Sequence, residues 1–336
     1  MSLPACTDEE FIALWDKYKS PSAVAKYLQI ALRAVQARRR RIEDFYGIVL
    51  ETNNPNKISI SINRQEAIDS QNLRLQETRR SVRRGVVLED ATVFVFSDAH
   101  FYPQDYTTAF RALLYFIKEL KPEVIVCNGD AFDGARLSRY PRINWTNTPS
   151  VKEELDAVKD HLDQIEEAST FKSNLIWCMG NHDSRFETTL SNSSAHNYEG
   201  IKGFTLKDHF PIWQPCWSFW INEDTIIKHR NKGGRYAGYN NAMQTLGKNI
   251  ITGHTHVLAV QPISAFQKTI YGVQTGCLAY PDGDQFVDYT EDNPKDWRSG
   301  FAILTFHKGQ LLMPELVQVF DENEGLVQFR GKVYNV

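Results

Sequence analysis

No apolar run comes near the roughly 20 residues that cross a bilayer, so neither a membrane-spanning helix nor a membrane partner is expected. The opening Met1-Ser2-Leu3-Pro4-Ala5-Cys6 runs at once into Asp8, Glu9 and Glu10, which is not the pattern of a secretory signal. Cysteine is scarce, with five scattered residues. That excludes a disulfide scaffold and predicts reduced thiols in a cytoplasmic setting. Glycine (19) and proline (13) are too few for a collagen-like or low-complexity chain. What remains is a chain of 336 residues, 42 % hydrophobic and 24 % charged, long enough for one large domain or two ordinary ones.

The net charge of -3 is unevenly spread. Residues 1–88 hold 15 basic and 10 acidic side chains, so the front is basic and the rest acidic. Thr7-Asp8-Glu9-Glu10 has capping-box spacing and opens a helix with Phe11, Leu14 and Trp15 on one face. Ser20-Pro21 opens a second helix with Val24, Ala25, Leu28 and Ile30 apolar. A third, roughly 31–45, turns Leu32, Val35 and Ile42 inward and ends near Gly47. Its other face carries Arg33, Arg38, Arg39, Arg40 and Arg41. Three short helices so spaced resemble a helix-turn-helix unit, with Gln29 where the family usually has Gly. The resemblance implies nucleic-acid contact through the arginines; a solvated face or a protein-docking bundle is the alternative. Alternation around Asn53-Asn54-Pro55-Asn56 predicts a hairpin, as a wing, over 48–62. Residues 64–84, ending in Arg79-Arg80 and Arg83-Arg84, read as a basic linker helix. The expected division is 1–63 helical module, 64–88 linker and 89–336 main domain.

From residue 91 strand, loop and helix alternate, the pattern of an α/β fold with parallel strands. Five strand-like runs each end in polar or ligand-type residues: Ser97-Asp98-Ala99-His100, Asn128-Gly129-Asp130, Gly180-Asn181-His182-Asp183, His229, and Gly253-His254-Thr255-His256. Sites in α/β sheets are built at that carboxyl edge. The donors Asp98, His100, Asp130, Asn181, His229, His254 and His256 mix oxygen with imidazole and include no thiolate, which suits Mn, Fe or Zn. Seven donors are too many for one open catalytic ion and fit two sharing a carboxylate. His161, His196, His209 and His307 fall outside the set and read as ordinary surface or core residues.

Asp98-x-His100, Gly129-Asp130, Gly180-Asn181-His182-Asp183, His229 and Gly253-His254-x-His256, in that order over roughly residues 91–280, resemble the motif set of the calcineurin-like metallophosphoesterases. Gly-Asp-Ala-Phe-Asp and Gly-Asn-His-Asp-Ser-Arg185 resemble the compact members common in bacteriophages, which would act in the host cytoplasm. His229 is followed by Arg230 where the family has Gly. The resemblance implies a four-layer α/β/β/α sandwich beside the small helical module. It implies two divalent ions, Mn foremost and Fe, Zn, Ni or Mg as alternatives. Asp98, His100, Asp130 and His256 would hold one, and Asp130, Asn181, His229 and His254 the other, with Asp130 bridging. The pair acidifies a water that attacks phosphorus, and His182 protonates the leaving oxygen, oriented by Asp98.

Arg185, Arg136 and Arg139 are candidates for a phosphate oxygen; ion pairs with Asp133, Asp183 or Glu187 are the alternative. Tyr140, Trp145 and Arg142, with those arginines, suit either an exposed base or a packed loop. The leading reading is a phosphodiesterase or nuclease acting on DNA. A phosphoesterase on a small ester or cyclic nucleotide, and a DNA-binding regulator with an inactive body, are the alternatives. Composition and motifs do not fix the oligomeric state.

Overall fold

A computed structural model describes residues 6–52, 81–139, 148–170, 173–193, 197, 199–264, 268–283, 286, 293 and 295–336. The chain forms two compact units, 1–76 and 77–336. No helix among the described residues is long and apolar enough to cross a membrane, and the five cysteines are free.

The smaller unit holds helices α1 (Asp8–Tyr18), α2 (Pro21–Leu28) and α3 (Leu32–Tyr46). Thr7 and Glu10 close the expected capping box, and Ser20 caps α2 ahead of Pro21. Gln29 takes the left-handed turn (φ 53°) that the resemblance assigns to Gly, at a cost of roughly 1 kcal/mol. Phe11, Trp15, Val24, Ala25, Val35 and Ile42 form the core with Leu50. Leu32, expected inward, is 43 % exposed, because it opens the first turn of α3, ahead of the stretch that packs. The expected hairpin has its turn and second strand, and the linker helix its residues 64–80, outside the described residues. The rest of that stretch differs from expectation: Ser81–Val86 is strand β1, not helix. It pairs in parallel with the strand Gln214–Ile221, from Ser81↔Cys216 to Val86↔Ile221. Arg83 stacks over Trp220 at 3.9 Å and Arg84 donates to the Pro215 carbonyl. These two arginines therefore serve the larger unit's sheet.

That unit contains β2 (Ala91–Phe96), α4 (Thr108–Leu120), β3 (Val124–Cys127), α5 (Val151–Ala168), β4 (Asn174–Cys178), α6 (Asp183–Ser191), α7 (Leu206–His209) and β5 (Gln214–Ile221). It continues with β6 (Thr225–Lys228), α8 (Ala237–Met243), β7 (Asn249–Thr252), β8 (Leu258–Ser264), β9 (Thr269–Thr275), β10 (Gly300–His307), β11 (Gln310–Leu311), β12 (Glu315–Asp321), β13 (Leu326–Phe329) and β14 (Lys332–Asn335). Twelve of the described strands form one hydrogen-bonded path, β14-β13-β12-β10-β2-β3-β4-β5-β6-β7-β9-β8, with β1 on β5 and β11 on β10 beside it. The central β2, β3 and β4 are parallel. Side chains alternate between two cores, as the pleat requires. Phe94, Phe96, Ile125, Cys127, Leu175 and Trp177 face α4 and α5. Val93, Val95, Val124, Val126, Ile176 and Cys178 face Ile227, Ile251 and Val273 of β6, β7 and β9. The outer side of that second layer, Ile226, Ile250 and Ile270, packs on Ala242 of α8. The four layers of the α/β/β/α sandwich are thus present. The two sheets join at β5, whose Gln214–Cys216 pairs with β4 and whose Phe219–Ile221 pairs with β6.

Candidate metal centre

The ends of β2, β3, β4, β6 and β7 converge on one site. The loops after β2 and β3 are zipped together: the N–H groups of Asp98, His100 and Phe101 donate to the carbonyls of Gly129, Asp130 and Ala131. Two glycines make room. A Cβ on Gly129 would lie 2.5 Å from the His229 ring, and one on Gly180 would lie 2.0 Å from Asp130 Oδ1. Asp98, His100, Asp130, His254 and His256 all sit at positive φ, between 42° and 70°. Such backbone is costly for residues with a Cβ and persists where the surroundings over-determine it, as at functional sites.

Among the described residues three groups bring ligand-type atoms within 4.8 Å of one another: Asp98, His100 and His256; Asp130, His229 and His254; and His100, Asp133 and His182. The first two each hold three members of one expected four-membered set. His229 donates Nδ1–H to the Asn128 carbonyl (2.7 Å), which turns Nε2 to within 3.0 Å of Asp130 Oδ2. That approach is close but lacks hydrogen-bond geometry. His100 Nε2, His229 Nε2, His256 Nδ1 and Asn181 Oδ1 are buried without hydrogen-bond partners. Orphaned buried acceptors are costly unless a ligand completes them, and this nitrogen and oxygen set fits divalent cations. Burial works to raise the Asp98 carboxyl, yet the His256 and His229 rings hold it below the ordinary value. Burial likewise opposes ionisation of Asp130, but His229 and His182 pull it well down. For His229, burial is outweighed by the Asp130 and Asp98 charges, which lift the ring to about 10. The site is built for positive charge.

The family model for calcineurin-like phosphoesterases matches residues 91–258, half of the chain. The chain belongs to the calcineurin-like phosphoesterases. It is similar to the Gene 54 proteins of two phages. That of Mycobacterium phage L5 is 25 % identical over 266 residues, 73 % of this chain and 98 % of the relative. That of Mycobacterium phage D29 is 24 % identical over 257 residues, 68 % and 93 %. Among solved structures it is similar to wild-type Vps29 of Entamoeba histolytica complexed with zinc (15 % identity, 73 % and 98 % covered, TM-score 0.40). It is also similar to the nuclease MPE of Pseudomonas putida (12 % identity, 73 % and 87 %, TM-score 0.31).

Within this calcineurin-like phosphoesterase, His182 is oriented by Asp133, not by Asp98 as expected. Its Nδ1 lies 2.8 Å from Asp133 Oδ1, its N–H donates to Asp130 Oδ1 at 2.8 Å, and its Nε2 stands 3.9 Å from Asp130 Oδ2. Asp98 instead accepts the His254 N–H. Asp133 Oδ1 also takes His100 Nδ1 at 2.8 Å, so one carboxylate orients a ligand candidate and His182 together. Burial raises Asp133, but hydrogen bonds to His100 and His182 hold it well below the carboxylate range.

Asp183, expected at most as an ion-pair partner for an arginine, is a buried hub. It accepts the N–H groups of Asp130, Ala131, Phe132 and Gly180 and the Trp177 Nε1–H. Burial and the Asp130 charge raise its carboxyl above the usual value. Arg185 reaches the site: it donates to the Asp133 carbonyl (2.9 Å), and its Nη2 lies 3.2 Å from His182 Nε2. Arg136 bonds the Thr148 carbonyl instead. Arg139 is exposed, and it is not without a partner. Tyr140, Arg142 and Trp145 lie outside the described residues. His161, as expected, is no ligand: it is buried among Phe101, Tyr106 and Phe110 with Nδ1 on the Ala157 carbonyl.

The arginine face of α3 is only partly free for a partner. Arg38 bonds Asp8 and the Cys6 carbonyl and lies over Phe11. Arg39 pairs with Glu43 over Trp15, and Arg41 pairs with Asp8. Arg33 and Arg40, with Gln36 and Ala37 between them, form an exposed stripe on one side of the helix.

Proposed function

We propose that the protein is a phosphodiesterase holding two divalent ions, manganese in the first instance, and that it cleaves nucleic acid, most directly DNA. Asp98, His100, Asp130 and His256 hold one ion; Asp130, Asn181, His229 and His254 hold the other. When bound, such a pair neutralises phosphoryl oxygens and lowers the pKa of water for in-line attack.

The observation that carries the reading is His182, fixed by Asp133 within 3.9 Å of the shared Asp130 carboxylate. A placed proton donor matters most when the leaving oxygen is a poor one, as a sugar alkoxide is. With Nδ1–H on Asp133, His182 presents Nε2 for that proton. Nε2 now faces Arg185 Nη2; we read Arg185 as turning to a non-bridging phosphate oxygen when substrate enters, which frees Nε2 to carry the proton. The exposed Arg33 and Arg40 stripe supports DNA contact by the helical unit. The test is hydrolysis of labelled single- and double-stranded DNA beside bis-p-nitrophenyl phosphate, with manganese added. DNA cleavage that EDTA abolishes is expected. Turnover of the aryl ester with no cleavage of any nucleic acid would contradict the substrate assignment.

A further inference from the structure

Beside the donor set the protein carries aromatic rings that hydrolysis itself does not use. A cavity of about 460 Å³ opens at His254 and is lined by Gly233, Gly234, Arg235, Lys295 and Trp297, a volume in the range of small-ligand sites. The Trp297 ring lies 4.2 Å from the His256 ring and 5.2 Å from Phe286, and Lys295 Nζ lies 5.7 Å from it. The indole is therefore fixed against a ligand candidate, mostly buried but lining the cavity. A second cavity, also about 460 Å³, is lined from the next residue onward by Tyr236, Tyr239, Val260 and Pro262. Both tyrosines are exposed, at 64 % and 47 %. The segment bearing them is fixed to the metal loop by Gln274, which is fully buried. Its side chain accepts the Gly238 N–H and donates to Thr255 Oγ1 at 2.7 Å, between His254 and His256.

We propose that this surface is a track for single-stranded nucleic acid, one base stacking on Trp297 beside the scissile phosphate and further bases on Tyr236 and Tyr239. The proposal deepens the phosphodiester reading and rests on it for the identity of the occupant. The rings match the flat apolar faces of bases, and Arg235 and Lys295, now ion-paired with Asp296 and Asp282, would exchange those carboxylates for the phosphates of a strand. A small phosphate ester needs no ring beyond the first.

The test uses the full chain with manganese and three substrates: methyl p-nitrophenyl phosphate, thymidine 5′-(p-nitrophenyl phosphate) and labelled octathymidylate. Stacking is worth about 1–3 kcal/mol per base, so Trp297→Ala should raise the KM for the thymidine ester, relative to the methyl ester, by roughly 5- to 150-fold. Trp297→Phe should restore most of it. Tyr236→Ala and Tyr239→Ala should raise KM for octathymidylate more than for the thymidine ester, with kcat moving less. Octathymidylate anisotropy, without manganese and in an Arg33→Glu/Arg40→Glu background to remove contact by the helical unit, reads the track without hydrolysis and should show each tyrosine variant weaker by about 5-fold or more. Equal KM changes on all three substrates, unchanged octathymidylate affinity in both tyrosine variants, or preference for a phosphopeptide over octathymidylate would overturn the track. No hydrolysis of any substrate, with tyrosine-dependent binding intact, would overturn the phosphodiester reading and leave the track standing.

Discussion

Asp183→Asn replaces none of the seven ligand candidates, yet it strikes the scaffold that sets them. Oδ2 of Asp183 takes three donors, from Asp130, Gly180 and Trp177, and Oδ1 takes two, from Ala131 and Phe132. An asparagine can turn its one oxygen to the set of three. Its NH2 then faces the Ala131 and Phe132 N–H groups, leaving two buried donors unpartnered. Each costs roughly 1–3 kcal/mol. Removing a buried carboxylate that Asp130 repels returns part of that. We expect a net loss of about 3 kcal/mol in the larger unit. The assay is urea unfolding of metal-free protein, followed by manganese titration. Because the same N–H groups set the loop bearing Asp130, ion affinity should fall along with stability. A stability within about 1 kcal/mol of wild type and unchanged ion affinity would refute the claim that Asp183 holds this loop.

Other consequences concern the acid, pH and the helical unit. His182→Gln should slow a sugar phosphodiester about 10²–10⁴-fold more than an activated aryl ester, with metal content intact; paired kinetics on the two substrates decide it. Glu154 is buried and accepts the Gly134 and Ala135 N–H groups, and burial and the Asp133 charge raise its carboxyl to about 7. The folded state thus holds an extra proton between the unfolded value, about 4.5, and about 7. Stability should fall as pH rises through that window, by about 3 kcal/mol, and unfolding of Glu154→Gln across the same range should show a flatter profile. Arg33→Glu and Arg40→Glu should weaken DNA binding and reduce its salt slope by about one contact each, whereas Arg38→Ala should instead lower the melting temperature of the helical unit through loss of its Asp8 and Cys6 bonds.

The donor set was legible because each member stands at a strand end, where a run of apolar residues breaks into Gly, Asp, Asn or His. The capping boxes at Thr7 and Ser150 were legible for the same local reason. What stayed hidden depends on distance through the fold. Asp133 lies 49 residues from the ring it orients, and nothing local to His182 points to it. Asp183 reads as no more than an ion-pair partner for an arginine until its five donors are brought to it by the fold. The left-handed backbone at Asp98, His100, Asp130, His254 and His256 carries no glycine to announce it. Ser81–Val86 looked helical because its two arginines mask an edge strand that forms only against β5. Trp297 belongs to no motif and stands out only by its place against His256, and Tyr236 and Tyr239 only by the Gln274 bridge from their segment to Thr255.

The central claim is a shared carboxylate between two ions, and counting ions tests it most directly. Manganese titration of the full chain, read by calorimetry, should give two ions per chain. Asp130→Asn should lose both together with phosphodiester hydrolysis, while Asp98→Asn should chiefly weaken one. A single ion in the wild type, or an Asp130→Asn protein that keeps two ions and full activity, would contradict the account.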